Sequence, residues 1–157
     1  MILFFYIMLN VIGIFLFQKI KKQLHILEII VYWLVASYFF QNFSALCYMN
    51  FKTIQIPEKL SYEFSHFLNR ILLYPMIMVS FLNFILILNT LLKKLLLIII
   101  YVCALTGLEW LSDSLGVINH VHWQMWWSFS LWFVFLLVLI VIMKFFRIVL
   151  FKKRVYG

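Results

Sequence analysis

The sequence predicts an all-α integral membrane bundle of five transmembrane helices, and three observations predict it. The chain is 67% hydrophobic and 11% charged, whereas soluble domains carry about 45–50% apolar and about 25% charged residues, so the bilayer must be its solvent. Five apolar stretches each approach the ~20 residues that cross a hydrocarbon core. The basic residues cluster at the ends of these stretches, as Lys19-Ile20-Lys21-Lys22, Lys93-Lys94 and Lys152-Lys153-Arg154 do. Such placement reads as topology signal and as contact with anionic headgroups on the cytoplasmic side. The net charge of +8 therefore points to no nucleic acid, because no basic patch is interleaved with aromatics on a soluble element.

Residues 2–17 form the first span, short enough that local thinning of the bilayer or a first turn among the headgroups is expected. Its charges follow the apolar run and no small-residue cleavage site is present, so it reads as a retained span and not a signal. His25 and Glu28 read as a solvated pair beside the basic cluster. Residues 26–48 make the second span. A polar and mixed stretch follows, in which Pro57 suits the first turn of a helix. Leu60, Phe64, Phe67, Leu68 and Ile71 then recur at helical spacing. The third span, 64–92, is thus extended by an extracytoplasmic amphipathic lead-in. Pro75 inside it should kink the helix or be repaired by a neighbour. The fourth span is 95–113 and the fifth 125–143, separated by a short loop with Gly116 and two histidines, and a basic tail occupies 144–157.

Lys and Arg near the span ends number three after span one, three around the connection of spans two and three (Lys52, Lys59 and, inside the start of span three, Arg70), two after span three, none between four and five, and five from Lys144 onward. The positive-inside rule puts the first, third and fifth groups in the cytoplasm, hence the N-terminus outside and the C-terminus inside. Trp110, Trp123, Trp126 and Trp127 gather at the opposite interface, where amphipathic rings are favoured. Cys47 and Cys103 lie at different depths and are expected to form no disulfide. Asn10 and Asn83 are expected to hydrogen-bond across spans one and three, worth about 0.6 kcal/mol.

Counting ~1.5 Å of rise per residue from the inner interface brings Gln41, Asn42, Tyr74, Glu109, Asp113, Ser128 and Ser130 into one layer of the outer leaflet, with Arg70 just above it. Glu109 and Asp113, four residues apart, share a helix face. A carboxylate in hydrocarbon costs about 2.5–3.5 kcal/mol, so both should face the bundle interior and seek a cation, for which Arg70 is the expected partner. Glu63, His66, Arg70 and Tyr74 form a stripe on one helix face. This layer is either a pocket open to the outside or a structural ion pair. His120-Val121-His122 presents both imidazoles to one side if extended, and with Glu109, Asp113 or His66 would make a divalent metal site of zinc, manganese or iron type. No third ligand stands at a diagnostic offset, and the expectation is a protein without a cofactor. Ser112, Ser114 and Ser128 lie near these histidines, but no nucleophile elbow frames them.

Glu109-Trp110-Leu111-Ser112-Asp113, then His120-Val121-His122-Trp123, then Trp126-Trp127-Ser128, with Asn69-Arg70 and Tyr74-Pro75, resemble small polytopic membrane proteins of unassigned function from endospore-forming Gram-positive bacteria. The resemblance covers nearly the whole chain and implies a cell-membrane location, with no activity or functional residue attached. The expected function is that of a small binding or accessory protein working through its outer polar layer, alone, as a homo-oligomer or with another membrane protein. A metal- or carboxylate-dependent membrane enzyme acting on a lipid or envelope substrate is the main rival. A subunit of an ion or solute pathway is a third reading, disfavoured because no span carries a polar stripe through both leaflets.

Overall fold

A computed structural model describes residues 1–152. The basic run from Lys153 onward lies outside the described residues, and of Lys152 only the backbone is described. Helix α1 spans Ile2–Lys19 and α2 Ile26–Ala45, the latter continued by a π-helical turn, Leu46–Asn50. Strand β1 is Ile54–Gln55, and α3, Leu60–Leu68, runs through a second π-helical turn, Asn69–Leu73, into α4, Tyr74–Ile87. Helix α5 is Leu91–Ser114, β2 is Asn119–His120 and α6 is Met125–Lys152. Five helical runs are long and apolar enough to cross a membrane: Ile2–Lys19, Ile26–Asn50, Leu60–Ile87, Leu91–Ser114 and Met125–Phe151. Their exposed side chains, among them Leu34, Leu96, Ile100 and Val141, suit contact with acyl chains.

The third run is the hub, with 61% of its most apolar stretch buried against 11–22% in the others. Helix α4 packs on α1, α2, α5 and α6. Phe40 of α2, Tyr74 of α4 and Trp132 of α6 stack at its centre, with ring centroids 4.7–5.2 Å apart. The third helix ends at Ile87, five residues earlier than the hydropathy implies. Asn89 and Thr90 hold the extended turn, and Lys93 and Lys94 enter the first turn of α5.

Pro75 shows how the helix accommodates a missing N–H. A proline cannot bond the carbonyl four residues back, here that of Ile71. Trp33 Nε1 of α2 donates to that carbonyl at 3.0 Å, and the π-helical turn just before Pro75 takes up the altered spacing. The expected repair by a neighbour is present, and the neighbour is Trp33. Trp33→Phe keeps an aromatic ring, though a smaller one, and removes the donor, and should cost at least the ~1–3 kcal/mol of an unsatisfied carbonyl. Equilibrium unfolding in detergent measures it, and an unchanged midpoint would refute the assignment.

One end of the bundle carries Lys19 of α1, Lys93 and Lys94 of α5, and Lys144 and Arg147 of α6. Its polar groups are more buried than expected. Glu28 is not a solvated partner of His25 but fully buried. Its Oε2 accepts from His25 N at 2.8 Å while Leu27 N donates to His25 Nδ1 at 3.3 Å, a reciprocal cap on α2. Its Oε1 pairs with Arg147 Nε of α6 at 3.0 Å and accepts from Tyr32 OH at 3.2 Å. Asn83 does not bond Asn10. Its Oδ1 accepts from the backbone of Gln23 and Leu24 at 2.6 and 3.3 Å, and its Nδ2 donates to Lys21 O at 3.0 Å. The α1–α2 connection is thereby fixed to α4, while Asn10 bonds only Tyr6 O on its own helix. No disulfide forms, Cys47 being buried and Cys103 exposed.

The opposite end is closed by a feature with no helical signature. β1 and β2, from the α2–α3 and α5–α6 connections, pair antiparallel with Ile54 opposite His120, and Val121 N extends the ladder to Thr53 O. A second small core lies beneath, of Tyr6, Cys47, Ile54, Val117 and Ile118. Gly116, at φ +68°, makes the reversal possible. Gly116 N bonds Asp113 O and Val117 N bonds Ser112 O, both at 2.9 Å. This pairing closes α5 as a Schellman motif, whose left-handed residue is favourable for glycine.

Candidate functional site at the ladder end

Four of the five carboxylates and three of the four histidines lie at the ladder end. They divide into two groups of opposite character.

The first is centred on Glu109 and leaves nothing unsatisfied. The α5 periodicity sets Glu109 and Asp113 on one face, and the β1–β2 ladder lowers His120 onto both. His120 Nε2 lies 3.1 Å from Glu109 Oε1, its Nδ1 3.0 Å from Asp113 Oδ1, and its backbone N donates to the same Oδ1 at 3.0 Å. Ser128 Oγ donates to Glu109 Oε1 at 2.9 Å, and Trp132 Nε1 donates to Oε2 at 2.7 Å. Trp123 Nε1 completes the chain with a 2.7 Å bond to Ser128 Oγ. Side-chain exposure is 4% for His120, 12% for Glu109 and 33% for Asp113. Both ring nitrogens face carboxylates, an arrangement in which both donate only when the ring is protonated. Burial opposes that charge, but hydrogen bonds and attraction from Glu109 and Asp113 outweigh it and raise the His120 pKa above its usual value.

This geometry corrects two expectations. Arg70 pairs with neither Asp113 nor Glu109; His120 is the partner of both. The four candidate metal ligands do not converge either. His122 is exposed, at φ +55° in the turn after β2, and the two nitrogens of His120 point at different carboxylates, so no one ion reaches all three groups. Among the described residues no three His, Cys, Asp or Glu side chains are placed to share a metal. Two of the three serines are engaged elsewhere: Ser112 Oγ accepts from Tyr6 OH at 2.9 Å and donates to Leu108 O, and Ser114 Oγ donates to Trp110 O, while Ser128 donates to Glu109 and not to a histidine. The cavity beside Glu109, between Phe40, Ser44, His66 and Trp132, is about 20 Å³, room for a water and for no lipid.

The second group lies on α3 and its π-helical turn, across from the end of α2, and is unsatisfied. His66 is 3% exposed. Its Nε2 is 3.3 Å from Ser44 Oγ, while its Nδ1 has no partner. Arg70 Nε is buried without a partner, as is Asn69 Oδ1. Two recesses open beside Arg70. One, of about 360 Å³, is lined by Glu63, His66, Arg70 and the apolar Leu60, Phe64 and Phe67. The other, of about 250 Å³, is lined by Ser44, Tyr48, Met49, Ile56, Glu63 and Arg70. Glu63 thus borders both recesses yet makes no ion pair with Arg70. π-Helical turns in otherwise regular helices are frequent at functional sites, and this region has one on each wall.

Of the expected stripe, Glu63, His66 and Arg70 line one recess, whereas Tyr74 is turned into the aromatic core, 1% exposed. Gln41 and Asn42 join neither group. Both are exposed, and Asn42 Nδ2 bonds Tyr38 O on its own helix. Trp132 and Ser44 are the participants that sequence reasoning missed, since a tryptophan or serine in an apolar helix carries no mark of the partner its polar atom will meet. The chain matches no family model, no curated protein and no solved structure.

Proposed function

We propose that this chain is a small binding or accessory protein of the cell membrane, with its N-terminus and ladder end outside and its C-terminus in the cytoplasm. Its working surface is the pair of recesses around Arg70. The observation that carries this reading is the contrast at the ladder end. The Glu109 group is closed and saturated with internal hydrogen bonds, as a structural lock is, whereas Arg70 and His66 keep buried polar atoms free beside open recesses. Buried polar groups are otherwise almost always satisfied, and of the unpartnered ones Arg70 Nε and His66 Nδ1 belong to residues that line a recess. The lysine clusters at the far end support the orientation.

A photoreactive side chain in place of Tyr48, which is 48% exposed and lines the smaller recess, tests the reading. In intact membranes it should give a discrete adduct absent from the same probe at Leu34, a lipid-facing position of α2. Identical adducts at both positions would overturn the proposal.

A further inference from the structure

We propose that the recesses around Arg70 bind a zwitterionic phosphodiester headgroup with a primary ammonium, that of an ethanolamine phospholipid. Its phosphate lies on Arg70 and His66 and its ammonium on Glu63. The inference rests on the binding role proposed above and assigns the ligand's chemistry.

Three observations lead to it. The first is charge. Arg70 and Glu63 border the same two recesses but stand seven residues apart, ~10 Å along a helix axis, and form no ion pair. A group with separated negative and positive ends bridges such a gap, whereas a purely anionic ligand would leave its negative charge beside the Glu63 carboxylate. The second is hydrogen bonding. Arg70 Nε–H and the buried Nδ1 of His66 lack partners, and a guanidinium fork matches phosphate oxygens. The carboxylate of Glu63 is an acceptor only, which suits an ammonium with N–H groups over a quaternary one with none.

The third is depth. Arg70 lies seventeen residues from the end of α4 at Ile87, ~25 Å along the helix, and Glu63 ~36 Å. In a hydrocarbon core of ~30 Å these positions bracket the boundary with the headgroups. Leu60, Phe64 and Phe67, 80%, 47% and 44% exposed, extend the larger recess with apolar surface where acyl chains would run.

The test is a titration of the purified full chain in detergent with phosphatidylethanolamine, phosphatidylglycerol and phosphatidylcholine, bound lipid being counted by native mass spectrometry. Phosphatidylethanolamine should bind most tightly. Arg70→Gln should weaken it by about tenfold or more, the loss expected for a charge-assisted hydrogen bond. Glu63→Gln, a change at an exposed side chain with little bearing on folding, should erase the preference for phosphatidylethanolamine over phosphatidylglycerol without weakening the latter. Equal affinity of the parent for all three lipids, or no shift in preference with Glu63→Gln, overturns the assignment. Displacement of the lipid by an equal concentration of glycerophosphoethanolamine would overturn it in favour of a soluble ligand of the same chemistry. If preference is absent while the Tyr48 probe still gives its discrete adduct, the headgroup assignment falls and the binding role stands. If both are absent, both fall.

Discussion

Replacing Arg147 by leucine should cost about 3–5 kcal/mol of folding stability, because it leaves a buried carboxylate without its counter-charge. Glu28 has no exposed surface, and Arg147 Nε at 3.0 Å is its cation. The remaining acceptor capacity is taken by Tyr32 OH and the His25 backbone N–H, neither of which neutralises it. Adding Glu28→Leu should recover a large part of the loss, since removing both members of a buried pair is often close to neutral. Equilibrium unfolding of the two single variants and the double variant in detergent gives the coupling. Strictly additive effects would show that the pair contributes nothing.

That pair marks the limit of what the sequence discloses. Helix lengths and apolar composition are local properties, so the five spans were legible from hydropathy, whereas the central place of the third was not. The stripe of Glu63, His66 and Arg70 was legible from period alone, because the helix continues through it. Partnerships were not. Arg147 reads as one more basic residue of the C-terminal tail, yet α6 continues through it to Lys152 and sets it against Glu28, 119 positions away in the chain. Arg70 looked like the natural cation for Glu109 by depth, but depth fixes height along the bundle and not azimuth around it. The ladder was equally hidden: Ile54-Gln55 and Asn119-His120 are two-residue strands, too short for any alternation to register, yet they place His120. His122, two positions on, is turned out to solvent by a left-handed backbone that no side-chain pattern announces.

Glu109→Leu should be the other costly change, at about 3–5 kcal/mol, because it strips the acceptor from Ser128, Trp132 and His120 at once. The parent should also show a pH dependence that is weaker in this variant, which keeps only Asp113 beside His120. With its folded-state pKa raised, His120 contributes stability fully present below the imidazole's ordinary pKa of about 6.5 and lost as pH rises through the raised value. Arg70→Leu belongs in the same experiment, and it separates lock from recess. An unpartnered buried donor contributes nothing to folding, and groups held ready for a ligand commonly lower stability. Side-by-side unfolding of these two variants in lipid-free detergent therefore tests the division of the ladder end most directly. The predicted result is a large loss for Glu109→Leu and no loss, or a gain, for Arg70→Leu. A loss for Arg70→Leu equal to that of Glu109→Leu would make Arg70 a structural residue and contradict the account.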